Sequence, residues 1–158
     1  GMSDSGGRRI KRAIHIDMNS IKFCDDAMIS RFSKIDIISE YIDSKKTDIK
    51  KYNQSKNCNN SLLNGRSLTN IGTYRKYISS YLENNSNINK GMTFLVRQLS
   101  PNSNGLPLEI YVFSNNTDWI NYEEIQSDIF DHLIASVEEF DLVLFQNPTG
   151  NDFKNRKI

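Results

Sequence analysis

The chain lacks a long apolar run and has almost no excess of charge of either sign. No window approaches the roughly 18 consecutive apolar residues of a transmembrane helix. The first seven residues lack the apolar centre of a secretory signal peptide. A formal net charge of +1 argues against wholesale attraction to nucleic acid or anionic lipid. With 158 residues and 37% hydrophobic content, the chain is predicted to form one domain around one core.

Cysteine and histidine are scarce, and neither has the spacing of a metal site. Cys24 and Cys58 are the two cysteines, and Cys58 lies in a polar, Asn-rich stretch. Without a secretory segment we predict two reduced thiols in the cytoplasm, with a disulfide as the alternative. No CxxC motif accompanies them, and His15 and His132 are isolated. The sequence therefore predicts no metal site, and His132 acting as a ligand with neighbouring aspartates is the weaker alternative.

Motifs of catalysis and phosphate binding are also missing. The chain contains no GxSxG, GxxxxGK or GxGxxG pattern. Paired carboxylates occur at Asp25–Asp26, Glu123–Glu124 and Glu138–Glu139. Helix capping explains the first two pairs and solvation explains the third. We therefore predict a protein that is not an enzyme, with no catalytic residue, no cofactor-binding residue and no cofactor.

Four segments have the pattern of β-strands. From Ile10 a period of two places Ile10, Arg12, Ile14, Ile16 and Met18 on one face of the first strand. The second strand is predicted over Met92–Leu99 and the third over Leu108–Phe113. A short final strand is predicted over Leu142–Phe145, and Pro148 prevents its continuation.

Three amphipathic helices are predicted between these strands. The first, capped by Asp25 and Asp26, is expected to run to about Asn53 as one element roughly 40 Å long. The second is capped by Thr69 or Thr73, and its apolar stripe is Tyr74, Tyr77, Ile78, Tyr81 and Leu82. The third opens with a capping box of Asn121 and Glu124, and its stripe is Tyr122, Ile125, Ile129, Leu133, Val137 and Phe140.

The order of these elements predicts an α+β fold. It reads as a ferredoxin-like split β-α-β sheet of four antiparallel strands with an inserted helical segment. We expect a flexible lead-in at 1–7, a domain at 8–150 with an insertion at about 53–91, and a polar tail at 151–158. One face of the sheet is left without a helix, and its partly apolar residues require a partner.

A basic run at the start of the first strand is the main charged feature. Its cations are Arg8, Arg9, Lys11 and Arg12. On an open sheet such a run suits RNA, but RNA-recognition modules also need a Lys/Arg-Gly-Phe pattern that Met92–Leu99 lacks. No nucleic-acid partner is expected. An RNA-binding module and a regulatory small-ligand-binding module remain the alternatives to the function below.

Whole segments of the chain, in order, resemble one family. They are Gly7–Arg12, Ile14–Phe23, Asn64–Arg75, Met92–Phe113 and Ile125–Leu133. Together they resemble the C-terminal cytoplasmic part of the small-conductance mechanosensitive channel (MscS) family, and within it the bacterial miniconductance, YbdG-like branch. The likeness extends over about residues 7–150.

This resemblance implies a fragment of a membrane protein. The full-length channel would lie in the bacterial inner membrane through transmembrane segments absent here, with this domain on the cytoplasmic face. The partner would be the chain itself, in a homo-oligomeric ring that is a heptamer in the best-known members. The soluble parts of that ring enclose a vestibule, and the channel releases ions and small solutes on hypo-osmotic stress.

The resemblance also gives two groups of residues a position in the ring. The junction with a preceding β domain would contain Arg8, Arg9, Lys11 and Arg12. The exit towards the ring axis would contain Asn147, Pro148 and Gly150. The stretch at 53–91 departs from shorter members, and the polar tail gives no clear axial β barrel.

Overall fold

The computed structural model describes residues 6–56 and 65–148. These residues form an α+β fold with a three-stranded antiparallel sheet and four α-helices. In chain order the elements are β1 (Arg8–Ile16), α1 (Asp26–Phe32), α2 (Ser39–Ser55), α3 (Asn70–Glu83), β2 (Leu95–Gln98), β3 (Leu106–Ser114) and α4 (Trp119–Ser136). Short 3-10 turns occur at Met18–Ser20, Asp36–Ile38 and Val137–Phe140. Within the two described ranges, no helix is both long and apolar enough to span a lipid bilayer.

The sheet has the order β1-β3-β2, with β3 in the centre. Ile10 lies opposite Val112 and Ile14 lies opposite Leu108. Because alternate residues of a strand point to opposite faces, these pairs share one face of the sheet, and all of them are buried. The period-two prediction for β1 is confirmed, although the strand begins at Arg8 and ends at Ile16, before Met18.

The predicted final strand over Leu142–Phe145 is not a regular strand. The segment 142–146 lies beside β1, on the side away from β3, and makes one antiparallel bridge between Leu144 and Ile16. The Asp17 amide donates to the Val143 carbonyl at 2.8 Å, and the Phe145 amide donates to the His15 carbonyl at 2.9 Å. Pairing is confined to this stretch because β1 ends on one side of it and Pro148 lacks a donor on the other.

The single long helix predicted from Asp25 to about Asn53 is wrong. Its place is taken by α1, the turn at Asp36–Ile38, and α2. The regular helix stops at Ser33, whose hydroxyl donates to the Ser30 carbonyl at 2.8 Å. Phe32 and Ile42, on the two sides of the break, are both fully buried. A straight helix would carry its far end away from a core of this size.

Side-chain caps fix where three of the helices begin. The Asp25 carboxylate accepts from the Met28 amide at 2.8 Å, and the Thr69 hydroxyl accepts from the Gly72 amide, as predicted for α1 and α3. For α4 the capping box was placed too late. Its cap is Asp118, whose carboxylate accepts from the Asn121 amide at 3.2 Å. The charged Asp118 carboxylate, one turn earlier, accepts from the first free amides of the helix more strongly than the neutral Asn121 side chain could.

Three aromatic rings join the helices in the centre of the core. The Phe140 ring lies 5.2 Å from that of Phe32 and 5.0 Å from that of Tyr74, measured between centroids. The Tyr74 hydroxyl donates to the Leu133 carbonyl of α4 at 2.5 Å. Tyr74 belongs to α3, within the stretch 53–91 that was predicted as an insertion. The bounds of that insertion stay a prediction, but its helix supplies part of the core.

Candidate functional site

The basic run of β1 is divided between the two faces of the sheet. Arg8 and Arg12 share the face of Ile10 and point towards α4, while Arg9 and Lys11 lie on the opposite face. The four cations predicted to form one junction therefore do not form one continuous patch. Arg8 is half-buried, whereas Arg9, Lys11 and Arg12 are exposed.

Arg8 and Arg12 stack on aromatic rings of α4. The Arg8 guanidinium lies 4.4 Å from the Trp119 ring centroid and 5.0 Å from that of Tyr122. Its Nη1 also donates to the Thr117 carbonyl at 3.3 Å. The Arg12 guanidinium lies 4.1 Å from the Phe130 ring centroid. Contacts of this kind contribute about 0.5–2 kcal/mol each, so they hold β1 against α4.

Tyr122 completes this contact between β1 and α4. Its hydroxyl donates to the Arg9 carbonyl at 2.5 Å. Burial raises the pKa of Tyr122, and the nearby Glu123 raises it further, more than the arginines lower it. The phenol therefore keeps its proton and remains a hydrogen-bond donor to the strand.

We use the term open face for the side of the sheet opposite the buried core. Its residues are Arg9, Lys11, Ala13 and His15 of β1, Pro107, Glu109, Tyr111 and Phe113 of β3, and Leu95 and Arg97 of β2. Most of these side chains are exposed or half-buried, in contrast to their neighbours on the core face.

The open face has an aromatic centre and a cationic border. The rings of Tyr111 and Phe113 are 6.0 Å apart, and the Lys11 amine lies 5.1 Å from the Tyr111 ring. Leu95, on the edge strand, is 44% exposed beside them. A mixed surface of this kind is suited to contact with another macromolecule.

One ion pair stiffens the middle of the open face. Nε and Nη2 of Arg97 donate to the same Glu109 oxygen, at 3.1 and 2.9 Å. Glu109 is only 8% exposed, and a carboxylate at that depth requires a charged partner. The predicted strand pattern placed Arg97 on this side, but its pairing with Glu109 depends on the register between β2 and β3.

The residues predicted for the exit lie at the end of the described chain. Asn147 and Pro148 are exposed, and Gly150 lies outside the described residues. Arg12 and Gln146 line one cavity of about 230 Å³, so the exit segment starts beside the middle of β1. The structure thus brings this segment close to Arg12, while Arg8 lies at the far end of the strand.

His132 contacts tyrosines of α3. Its Nε2 lies 2.6 Å from the Tyr77 hydroxyl, and its ring stacks on that of Tyr81 at 4.2 Å between centroids. Burial, followed by Tyr77 and Asp128, raises the pKa of Tyr81. This cluster could not be predicted from the sequence, because its members lie on two helices more than fifty residues apart.

Cys24 has the surroundings of an unreactive thiol. It is a buried free cysteine, and burial raises its pKa to about 11, against a lowering by its hydrogen bond with Thr73. Such a thiol is protonated at neutral pH and is a poor nucleophile. The expectation for Cys58 falls on a residue outside the described ranges. Among the residues that are described, no three His, Cys, Asp or Glu side chains are grouped to hold a metal ion.

The segment that contains α4 is acidic. From Asp118 to Asp141 the chain contains eight Asp and Glu residues and no Lys or Arg. Asp141, which has a left-handed backbone with φ of 55°, accepts from Arg31 at 2.6 Å and lies 3.9 Å from the Lys22 amine. Cations from α1 and the loop that precedes it therefore balance part of this acidic segment.

Comparison with models of known protein families finds none that matches this chain.

Proposed function

We propose that this chain is the cytoplasmic vestibule and assembly domain of a mechanosensitive ion channel of the small-conductance family. The channel, of the miniconductance YbdG-like branch, would release ions and small solutes on hypo-osmotic stress. The observation that carries this proposal is the ordered resemblance of whole segments. Those segments coincide with the elements that build the sheet and its helices, among them Ile14–Phe23, Met92–Phe113 and Ile125–Leu133.

A ferredoxin-like sheet is part of the proposal. The segment 142–146 lies outside β1, and β3 and β2 follow on the other side. Counting that segment as a reduced fourth strand gives the spatial order of a split β-α-β fold. The buried rings of α3 and α4 on one side of the sheet support the same arrangement.

The open face would be the contact of this domain with the rest of the assembled channel. Half-buried Tyr111 and Phe113, exposed Leu95, and the cations Arg9 and Lys11 form a surface that a neighbouring part of the ring can cover. The domain performs no catalysis in this proposal. It influences gating only to the extent that the open and closed channel contact it differently.

The test uses the natural full-length gene product in a bacterial strain without mechanosensitive channels of its own. We expect the strain to survive hypo-osmotic shock and its membrane patches to show tension-activated currents. Membrane expression without currents and without survival would refute the channel function.

A matched pair of variants tests the open face in the same channel. Tyr111→Asp places a charge in the aromatic centre and should reduce the fraction of assembled rings after detergent extraction. Ser103→Asp, in the exposed loop between β2 and β3, is the control and should assemble normally. Equal assembly of both variants would show that the open face is not the ring contact.

RNA binding is the second candidate, and one observation favours it. The central strand β3 places Tyr111 and Phe113 on the open face, with Arg9 and Lys11 at its border. Aromatic rings and cations on a sheet can stack bases and bind phosphates. We would measure fluorescence anisotropy of a single-stranded RNA at low and high salt. Binding that weakens with salt and is lost in Tyr111→Ala would support this candidate, and no binding at low salt would remove it.

A further inference from the structure

A cavity of about 460 Å³ lies between α1, α2 and the segment that precedes α3. Its volume is within the range of roughly 300–1,000 Å³ that is common for small-molecule sites. It is distinct from the open face and from the exit segment.

The wall of this cavity has an excess of positive charge. Lys46 and Lys50 lie one turn apart on α2 and both line it, and Arg66 lines it from the neighbouring segment. Asp26 is the single carboxylate among the lining residues that the structure describes. Within those residues neither lysine has a carboxylate at ion-pair distance. The ion pairs found there use Lys22, Arg31 and Arg97.

Arg66 is held in position by the last turns of α2. The Asn53 side chain accepts from the Arg66 amide at 2.9 Å and donates to the Arg66 carbonyl at 3.1 Å. The Arg66 guanidinium also lies 5.5 Å from the Tyr52 ring centroid. This backbone position is therefore fixed to the helix that carries both lysines, which reduces the entropy that a ligand would have to remove on binding.

The rest of the cavity is apolar with a few hydroxyls. Ile29, Ile49 and Leu68 line it, together with Ser30 and Ser67. Cations and an apolar wall in one cavity match a ligand with one anionic end and a compact hydrocarbon body. The hydroxyls can donate to anionic oxygens, as the lysines and the arginine do.

We propose that this cavity binds a small organic dianion, with Lys46, Lys50 and Arg66 holding the anionic end and the apolar wall holding the body. The dianion is either a phosphate monoester or a dicarboxylate with both carboxylates on one carbon, because each presents its charged oxygens at one end to the same three cations. This proposal does not rest on the channel function. It gives the domain a ligand site of its own, separate from the surfaces that would contact other subunits.

The first experiment follows backbone amide signals of the chain by NMR during titration. The probes are phenyl phosphate, phenylmalonate, inorganic phosphate and neutral benzyl alcohol. We expect phenyl phosphate or phenylmalonate to shift the amides of residues 24–33, 46–53 and 66–68 and to saturate, and the comparison of the two separates the phosphate from the dicarboxylate. No saturable shift at these residues up to about 10 mM, which is beyond the range of weak but specific sites, would overturn the proposal.

A charge-matched pair of double variants separates the cavity from general attraction to a basic helix. Lys46→Gln with Lys50→Gln removes two cavity cations, while Lys34→Gln with Lys51→Gln removes two exposed lysines that do not line it. We expect the first pair to weaken probe binding at least about 10-fold and the second less than about 2-fold. Equal weakening by the two pairs would show diffuse charge attraction and would also overturn the proposal.

Discussion

Neighbouring arginines at the start of β1 have different surroundings because a strand turns alternate side chains to opposite faces. Arg8 stacks on the rings of Trp119 and Tyr122 and donates to a backbone carbonyl. Arg9 is exposed, and its side chain belongs to the open face. Removal of the Arg8 side chain and removal of the Arg9 side chain should therefore lower the free energy of unfolding by different amounts.

This difference gives a prediction for two alanine variants. Arg8→Ala should lower the free energy of unfolding by about 1–2 kcal/mol, since it removes a stacked cation and a hydrogen bond. Arg9→Ala should change it by only about 0.5 kcal/mol, as surface substitutions do. Urea unfolding followed by tryptophan fluorescence or circular dichroism measures both. Equal losses would mean that the two side chains are buried to the same extent in solution.

Cys24 gives a prediction at high pH. Its pKa is raised from an ordinary value of 9.0 to about 11 in the folded chain, so the unfolded chain loses the thiol proton first as the pH rises. Below about pH 9 the thiol is protonated in both states and contributes no pH dependence. Between about pH 9 and 11 the free energy of unfolding should fall, by at most about 3 kcal/mol for this group.

The control for this prediction is Cys24→Ala, measured at the same pH values. Tyr74, whose pKa is also raised by burial, titrates in both proteins and cancels in their difference. The difference in the free energy of unfolding between the parent and the variant should therefore decline from about pH 9 to 11. A difference that stays constant over this range would show that the folded thiol ionises normally.

At the scale of elements, the start of α4 depends on one carboxylate. Asp118 accepts from the Asn121 amide and begins the helix three residues before the expected cap. Asp118→Ala should lower the free energy of unfolding by about 1 kcal/mol, the usual effect of losing a cap. Asn121→Ala keeps the donating amide and should have almost no effect. Thermal or urea unfolding distinguishes the two variants. A larger loss of stability in Asn121→Ala than in Asp118→Ala would show that Asn121 is the cap.

The elements differ in how well local sequence determines them. The strands β1 and β3 were predictable because β-branched residues alternate along them, and Asp25 and Thr69 were predictable because a cap acts within three residues. The break after α1 was not. The apolar positions Met28, Phe32, Ile35, Ile38 and Ile42 have the same spacing in one long helix as in two helices joined by a 3-10 turn. Only packing against the rest of the core decides between them.

The sites differ in the same way. The basic run could be read from adjacent residues, but its division between two faces required the strand register. The cavity between α1 and α2 could not be predicted, because Lys50 and Arg66 are distant in sequence and meet only after the break sets the path of α2. The pair of Arg97 and Glu109 likewise depends on which residues β2 and β3 place opposite each other.

At the scale of the whole molecule, the open face is the surface that the proposed ring would cover. It has half-exposed aromatic residues, Tyr111 and Phe113. We predict that the isolated 158-residue chain is monomeric or associates only weakly, with a mass near 18.2 kDa by sedimentation velocity. A stable ring formed by the isolated chain would show that the membrane part is not required for assembly.

The position of β1 in the sheet determines when the protein can finish folding on the ribosome. This strand is synthesised well before its neighbours in the sheet, β3 and the segment 142–146. Until these neighbours emerge, Ile10, Ile14 and Ile16 belong to an unpaired strand, and a nascent or truncated chain presents them to other molecules. Products that stop before residue 106 should therefore bind chaperones or aggregate, whereas products that extend past residue 146 should complete the sheet rapidly.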